Sequence, residues 1–260
     1  MVDAAAQEQR LGGHERSRFT CYAPLVSVEV LDFRLEVRGA AVGRQTLRSK
    51  EEGRHARLEA EATFEGPLGA AKVVQLSRCH RDKMTSYEYR EVTRDRSGER
   101  KVRFEFDGRD GLVRLERGED RAEAPYIEAL RDPLSMLREL RRALPNAERI
   151  RMPMLGKTVE ARCLGEVDVD TALGATRARA YQLFPGGSWV WVDVAPPHRI
   201  VKLRQRTADA LIDAVLVGIG QEATLTAWNV EEQGQDRKRG RRRRRRRGRG
   251  GKSRSRKSSG

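Results

Sequence analysis

The chain has 260 residues, of which 35% are charged and 5% aromatic, and its formal net charge is +15. No stretch reaches the roughly 18 to 20 uninterrupted apolar residues of a membrane-spanning helix, since the best segment, Ala210 to Gly220, is far shorter and carries Asp213. Fifteen basic residues and no acids lie from Arg237 onward, which leaves 38 Lys and Arg against 38 Asp and Glu before it; a neutral body argues against a fold with nucleic-acid affinity built into it.

Residues 1–20 show no periodicity and are expected to be flexible. They lack the apolar core of a secretion signal, and three widely spaced cysteines, Cys21, Cys79 and Cys163, form no disulfide framework. The expectation is a cytoplasmic protein with reduced thiols.

Residues 21–232 read as one β-rich domain. Phe33, Leu35 and Val37 alternate with Arg34, Glu36 and Arg38, and Ala56, Leu58, Ala60, Ala62 and Phe64 alternate with Arg57, Glu59, Glu61 and Thr63. Val102, Phe104 and Phe106 repeat the pattern, followed by Leu112, Val113 and Leu115. Such alternation marks antiparallel strands with one wet face. The phase slips near Val30 and Leu31, which predicts a bulge there, and Asp107-Gly108 and Asp110-Gly111 supply turn chemistry.

One helix is predicted. Asp132 suits the N-cap and Pro133 the first helical position, and Leu134, Leu137, Leu140 and Leu144 follow at helical spacing up to Pro145-Asn146. Strands resume over 158–169, 176–184, 189–194, 200–205 and 223–230, while 211–217 fits a strand or a short helix equally. The expected architecture is mainly β: a large curved antiparallel sheet of ten or more strands, a half-barrel, packed on one amphipathic helix.

Three stretches in this order carry a family resemblance: LEVRGAAVGRQTLRSK (Leu35–Lys50), RDPLSMLRELRR (Arg131–Arg142) and WVWVDVAPPHRIVKL (Trp189–Leu203). Over roughly residues 25–220 the chain resembles the bacterial domain-of-unknown-function family numbered three thousand one hundred and eight. The resemblance implies a curved sheet with a helix, similar to periplasmic lipoprotein carriers, and brings no established catalytic residues. Many members are exported, whereas this sequence carries a basic tail and is expected to lack a signal segment.

That tail, residues 233–260, is expected to be disordered because Gly, Ser, Arg and Lys cannot bury apolar surface. Its candidate nucleic-acid contacts are Arg237, Lys238, Arg239, Arg241, Arg242, Arg243, Arg244, Arg245, Arg246, Arg247, Arg249, Lys252, Arg254, Arg256 and Lys257. Polycations hold phosphate without reading sequence, and guanidinium stacking on single strands favours RNA over DNA. The other candidate is an apolar ligand groove on the concave side, lined by Trp189, Trp191, Tyr87, Tyr89 and Leu137. Trp189 and Trp191, like Tyr87 and Tyr89, are spaced to share a strand face.

Enzymatic and cofactor signatures are incomplete. Gly156-Lys157-Thr158 and Gly250-Gly251-Lys252-Ser253 lack the earlier glycine of a phosphate loop. Gly218-Ile219-Gly220 leaves no room for a dinucleotide-binding unit. Cys79 and His80, as strand neighbours, face opposite ways and form no nucleophile–base pair. No close-spaced cysteine or histidine pair suggests a metal. A non-enzymatic protein without cofactor is expected, a nucleic-acid binder through its tail or a carrier or sensor of an apolar small molecule or lipid.

Overall fold

The structure, a computed structural model, describes residues 28–66, 69–126, 128–143, 147–207 and 210–222. Fourteen strands and one helix occur among them. The strands are β1 (Val28–Val37), β2 (Ala40–Glu52), β3 (His55–Phe64), β4 (Ala71–His80), β5 (Ser86–Asp95), β6 (Gly98–Asp107), β7 (Leu112–Arg117) and β8 (Asp120–Pro125), then β9 (Arg149–Met154), β10 (Lys157–Thr171), β11 (Gly174–Phe184), β12 (Ser188–Asp193), β13 (Ile200–Arg206) and β14 (Leu211–Glu222). Helix α1 (Pro133–Arg142) separates β8 from β9.

All fourteen strands form one antiparallel sheet in the order β8-β7-β6-β5-β4-β3-β2-β1-β14-β13-β12-β11-β10-β9. The chain starts mid-sheet, walks to one edge, crosses through α1 to the far edge and walks back. The sheet does not close, because β8 and β9 are not paired. The segment entering the helix spans part of the gap: Ser86 N donates to Leu130 O at 2.9 Å and Arg131 N to Pro153 O at 2.8 Å. No helix among the described residues is long and apolar enough to cross a membrane.

Alternation builds the inner face. In β1, Leu31, Phe33 and Leu35 are buried, and in β3 so are Ala56, Leu58 and Ala60. One core cluster gathers residues of β1 and β10 to β14 around Leu140; a second gathers β3 to β7 residues around Leu134. The two leucines stitch the halves together, each contributing about 1.5 to 3 kcal/mol of burial. Outward positions of β2 to β7 form cross-strand ion pairs such as Arg48–Glu59, Lys72–Glu61 and Arg103–Glu88, which place opposite charges beside one another on neighbouring strands.

Asp-Pro-Leu-Ser starts the helix for a specific reason. Asp132 accepts from Leu134 N at 2.8 Å and Ser135 N at 3.0 Å. Ser135 Oγ in turn accepts from Asp132 N at 2.9 Å, completing a reciprocal cap. At the other end, Arg179, 2% exposed, donates to Ala143 O at 3.0 Å, where a cation favours the helix dipole.

Several expectations need adjustment. The predicted slip near Val30 and Leu31 falls between Asp32 and Phe33, where β1 meets β14, with a second between Leu35 and Glu36 against β2. Residues 211–217 are strand, part of β14, which also contains Gly218-Ile219-Gly220. Gly156 turns the β9–β10 hairpin with φ of 77°. Asp107 accepts from Arg109 N and Asp110 N, as turn chemistry requires. The expected strand over 223–230, the flexible segment 1–20, Cys21, Leu144 and Pro145-Asn146, and the whole basic tail lie outside the described residues.

Candidate functional site: a cavity between sheet and helix

The helix does not fill the sheet evenly. Toward its C-terminal end only a small void of about 40 Å³ remains, among Leu31, Leu47, Leu58, Leu134, Leu137, Arg138 and Ile200. Charge holds this end down. Arg141 Nη1 lies 2.7 Å from Glu29 Oε2 and Arg199 Nε lies 3.0 Å from Oε1. Burial works against ionising Glu29, yet these two guanidiniums keep its carboxyl below the ordinary glutamate range. Arg138 pairs with Glu51 on β2.

Beneath the N-terminal half the sheet and helix part. A cavity of about 400 Å³ opens there, walled by Leu35, Ala62, Phe64, Val73, Leu134, Met136, Leu137, Leu183, Val190, Leu203, Ile212 and Ala214. Gln45, Gln75, Glu91, Ser188, Arg204, Gln205 and Thr207 add polar atoms. A second cavity of about 280 Å³ lies beyond it between Tyr89, Val102, Phe104, Phe106, Met154 and Leu155, and the two share Glu91 and Pro133. A mostly apolar hollow of a few hundred cubic ångströms with a few polar groups matches the ordinary dimensions of a small-molecule site.

The polar groups are ordered by the strands that carry them. Gln75 on β4 pairs directly with Glu91 on β5, so both share the inner face. Gln75 Nε2 donates to Glu91 Oε2 at 2.9 Å and Tyr89 OH donates to the same oxygen at 2.7 Å. Burial, then Glu91 and Asp132, push the Tyr89 hydroxyl far above its ordinary value. Asp132 itself is 2% exposed, and burial raises its carboxyl above the usual aspartate range despite bonds from Ser77 Oγ at 2.7 Å and Ser86 Oγ at 2.5 Å.

Of the five groove residues expected from sequence, Leu137 lines the larger cavity and Tyr89 the smaller one. Trp189 reaches the rim of the larger cavity beside Ser188 and Arg204. Trp191 does not line it. The register places Trp189 between Gln182 and Arg204 and Trp191 between Ala180 and Lys202, in the strand phase opposite to buried Val190 and Val192, with Trp191 partly buried. There the indoles stack at 5.7 Å under Lys202 and Arg204, 5.4 and 5.9 Å from the Trp191 ring. The expectation of a concave tryptophan pair is therefore corrected: alternation assigns a shared face but not which one.

Tyr87 and Tyr89 do not share a face at all. The β4–β5 register slips between Arg78 and Cys79, where Cys79 pairs with Ser86 and Arg78 with Glu88. The extra residue, Tyr87, turns outward onto His55 with ring centroids 5.3 Å apart. Cys79 faces inward, 0% exposed, with burial, then Asp132, pushing its thiol up to about 12. Among the described residues no cluster of three or more His, Cys, Asp or Glu is placed to hold a metal ion.

Sequence reading missed Phe64, Leu183 and Leu203 as cavity walls, and it missed Gln75 and Glu91. The last two sit at inward phase on strands whose other inward positions are Val73, Ser77, Cys79 and Tyr89, where a polar residue does not stand out.

No protein-family model matches the chain, and the search of curated proteins finds no match. Among solved structures the chain is similar to a beta-barrel-like protein of domain of unknown function DUF1849 from Brucella abortus, at 10% identity and a TM-score of 0.48, covering 76% of this chain and 98% of that one.

Proposed function

We propose that the protein is a non-enzymatic carrier or sensor that holds an apolar small molecule between the sheet and the N-terminal half of its helix. The observation that carries this reading is the cavity of about 400 Å³. An apolar occupant of a mostly apolar hollow that size takes its walls out of water and gains dispersion contacts along them. The ion pairs of Arg138 and Arg141 with Glu51 and Glu29 fix the C-terminal end of α1 on the sheet, so the gap at its start is not a general looseness of the helix. The test is extraction of the purified chain with organic solvent followed by mass spectrometry. About one apolar molecule per chain is expected, and its loss when Ala62→Phe fills the wall; a chain that carries nothing and takes up nothing contradicts the reading.

A second reading rests on charge segregation. Fifteen basic residues without an acid follow a body of zero net charge, which supports attachment of the tail to nucleic acid, RNA above DNA, by phosphate attraction. Such binding falls steeply with salt, on the order of 10³-fold or more between about 50 and 200 mM if 6 or more phosphates are neutralised. Removal of residues 237–260 is expected to abolish low-salt retention on RNA; unchanged retention defeats this reading. A cytoplasmic setting agrees with it, and the order of the three motifs supports a place near the family numbered three thousand one hundred and eight.

A further inference from the structure

Resting on the cavity reading and sharpening it, we propose that the occupant is a cationic amphiphile, with an apolar chain beneath Leu134 and Leu137 and a protonated amine docked on Glu91. Glu91 is the carboxylate common to both cavities. Its Oε2 takes the bonds from Tyr89 and Gln75, and among the described residues it forms no ion pair. Its neighbours around the helix differ. Glu29 is held by Arg141 and Arg199, Glu51 by Arg138, and Glu139 by Arg131 at 2.7 Å. Asp132 is satisfied by the helix cap and two serines.

Glu91 accepts two neutral hydrogen bonds, both on Oε2, and has no cationic partner among the described residues. The cations at the walls are already engaged: Arg131 lines the second cavity but is bound to Glu139, and Arg204 at the rim is bound to Asp213 through two contacts of 2.6 and 2.8 Å. An ammonium supplies both the missing charge and donors for Glu91, forming charge-assisted bonds stronger than neutral ones. A fatty-acid carboxylate, by contrast, enters a site flanked by Glu91 and meets like charge.

The test is calorimetric titration of the full chain with dodecylammonium, dodecanol and dodecanoate, each below its micelle concentration, in about 0.3 M salt so that the tail's field is screened. Dodecylammonium is expected to bind at least about tenfold more tightly than dodecanoate, a difference of about 1.4 kcal/mol. Glu91→Gln, which preserves the side-chain shape, is expected to reduce that preference to less than about threefold while dodecanol binding stays put, with thermal melting confirming that the variant folds. Equal or tighter binding of dodecanoate, or a preference that survives Glu91→Gln, overturns the head-group assignment, and dodecanol binding then shows that the apolar-ligand reading itself survives. Failure of all three ligands to bind overturns both.

Discussion

Replacing Asp132 by Ala removes one side chain from two jobs at once. It strips the helix of its N-cap, worth about 1 kcal/mol in typical cases. It also leaves the buried Ser77 hydroxyl, which donates to Asp132 at 2.7 Å, without that acceptor, a loss of about 1 to 3 kcal/mol. Ser86 keeps Ser135 Oγ at 3.0 Å and suffers less. The expected loss is about 2 to 4 kcal/mol in urea denaturation, read as a shift of midpoint at constant slope. Asp132→Asn separates shape from charge. Burial raises the folded-state carboxyl above its unfolded value of 3.8, so the protonated form is favoured by folding. That contribution is fully present below pH 3.8 and is lost as pH rises through the folded value. The stability of the wild-type chain relative to Asp132→Asn is therefore expected to fall as pH climbs from about 4 toward neutrality. A loss under about 1 kcal/mol for Asp132→Ala, or a relative stability that stays flat or grows with pH, refutes the reasoning.

Other positions give independent checks. Gly43 sits mid-sheet with φ of 152°, and an added Cβ falls 2.0 Å from Thr63 O; Gly43→Ala is expected to destabilise by about 3 kcal/mol, and a melting temperature within a degree or two of wild type contradicts that. Glu29→Gln is expected to lose about 1 to 2 kcal/mol at neutral pH. Because Arg141 and Arg199 hold Glu29 below its ordinary 4.5, this difference should vanish as acid titrates the group; a difference constant down to pH 3 argues against the clamp. Cys79, buried with its thiol pushed up to about 12, is expected to resist disulfide reagents at pH 8 until the chain is unfolded, while half-buried Cys163 reacts first; peptide mapping that finds equal labelling defeats this.

The sheet and its helix were readable because their signals are local. Period-two alternation in β1, β3 and β6 and the Asp132-Pro133 start of α1 each follow from a few neighbouring residues. What escaped depends on one-residue events. The bulge at Tyr87 flips a side chain that simple alternation holds beside Tyr89, and nothing in Ser-Tyr-Glu-Tyr announces it. The tryptophans of β12 occupy one phase and Val190 and Val192 the other; both phases are apolar, so hydrophobicity alone does not choose the inner one. Register against Lys202 and Arg204 does, and register is a property of the paired strands. The cavity arises similarly: its lining comes from β1 to β5, β11 to β14 and α1, which meet only after the sheet has curled. Gln75 and Glu91 escaped as well, because their inward phase already holds polar Ser77 and Ser86 and a polar residue there does not stand out.

The central claim is that the hollow under the first turns of α1 accepts an apolar guest. Titration of the full-length chain with the uncharged fluorescent probe N-phenyl-1-naphthylamine addresses it most directly. A saturable rise in emission corresponding to one site per chain, abolished in a folded Ala62→Phe variant, is the result this account predicts. No rise, or the same rise in both proteins, contradicts it.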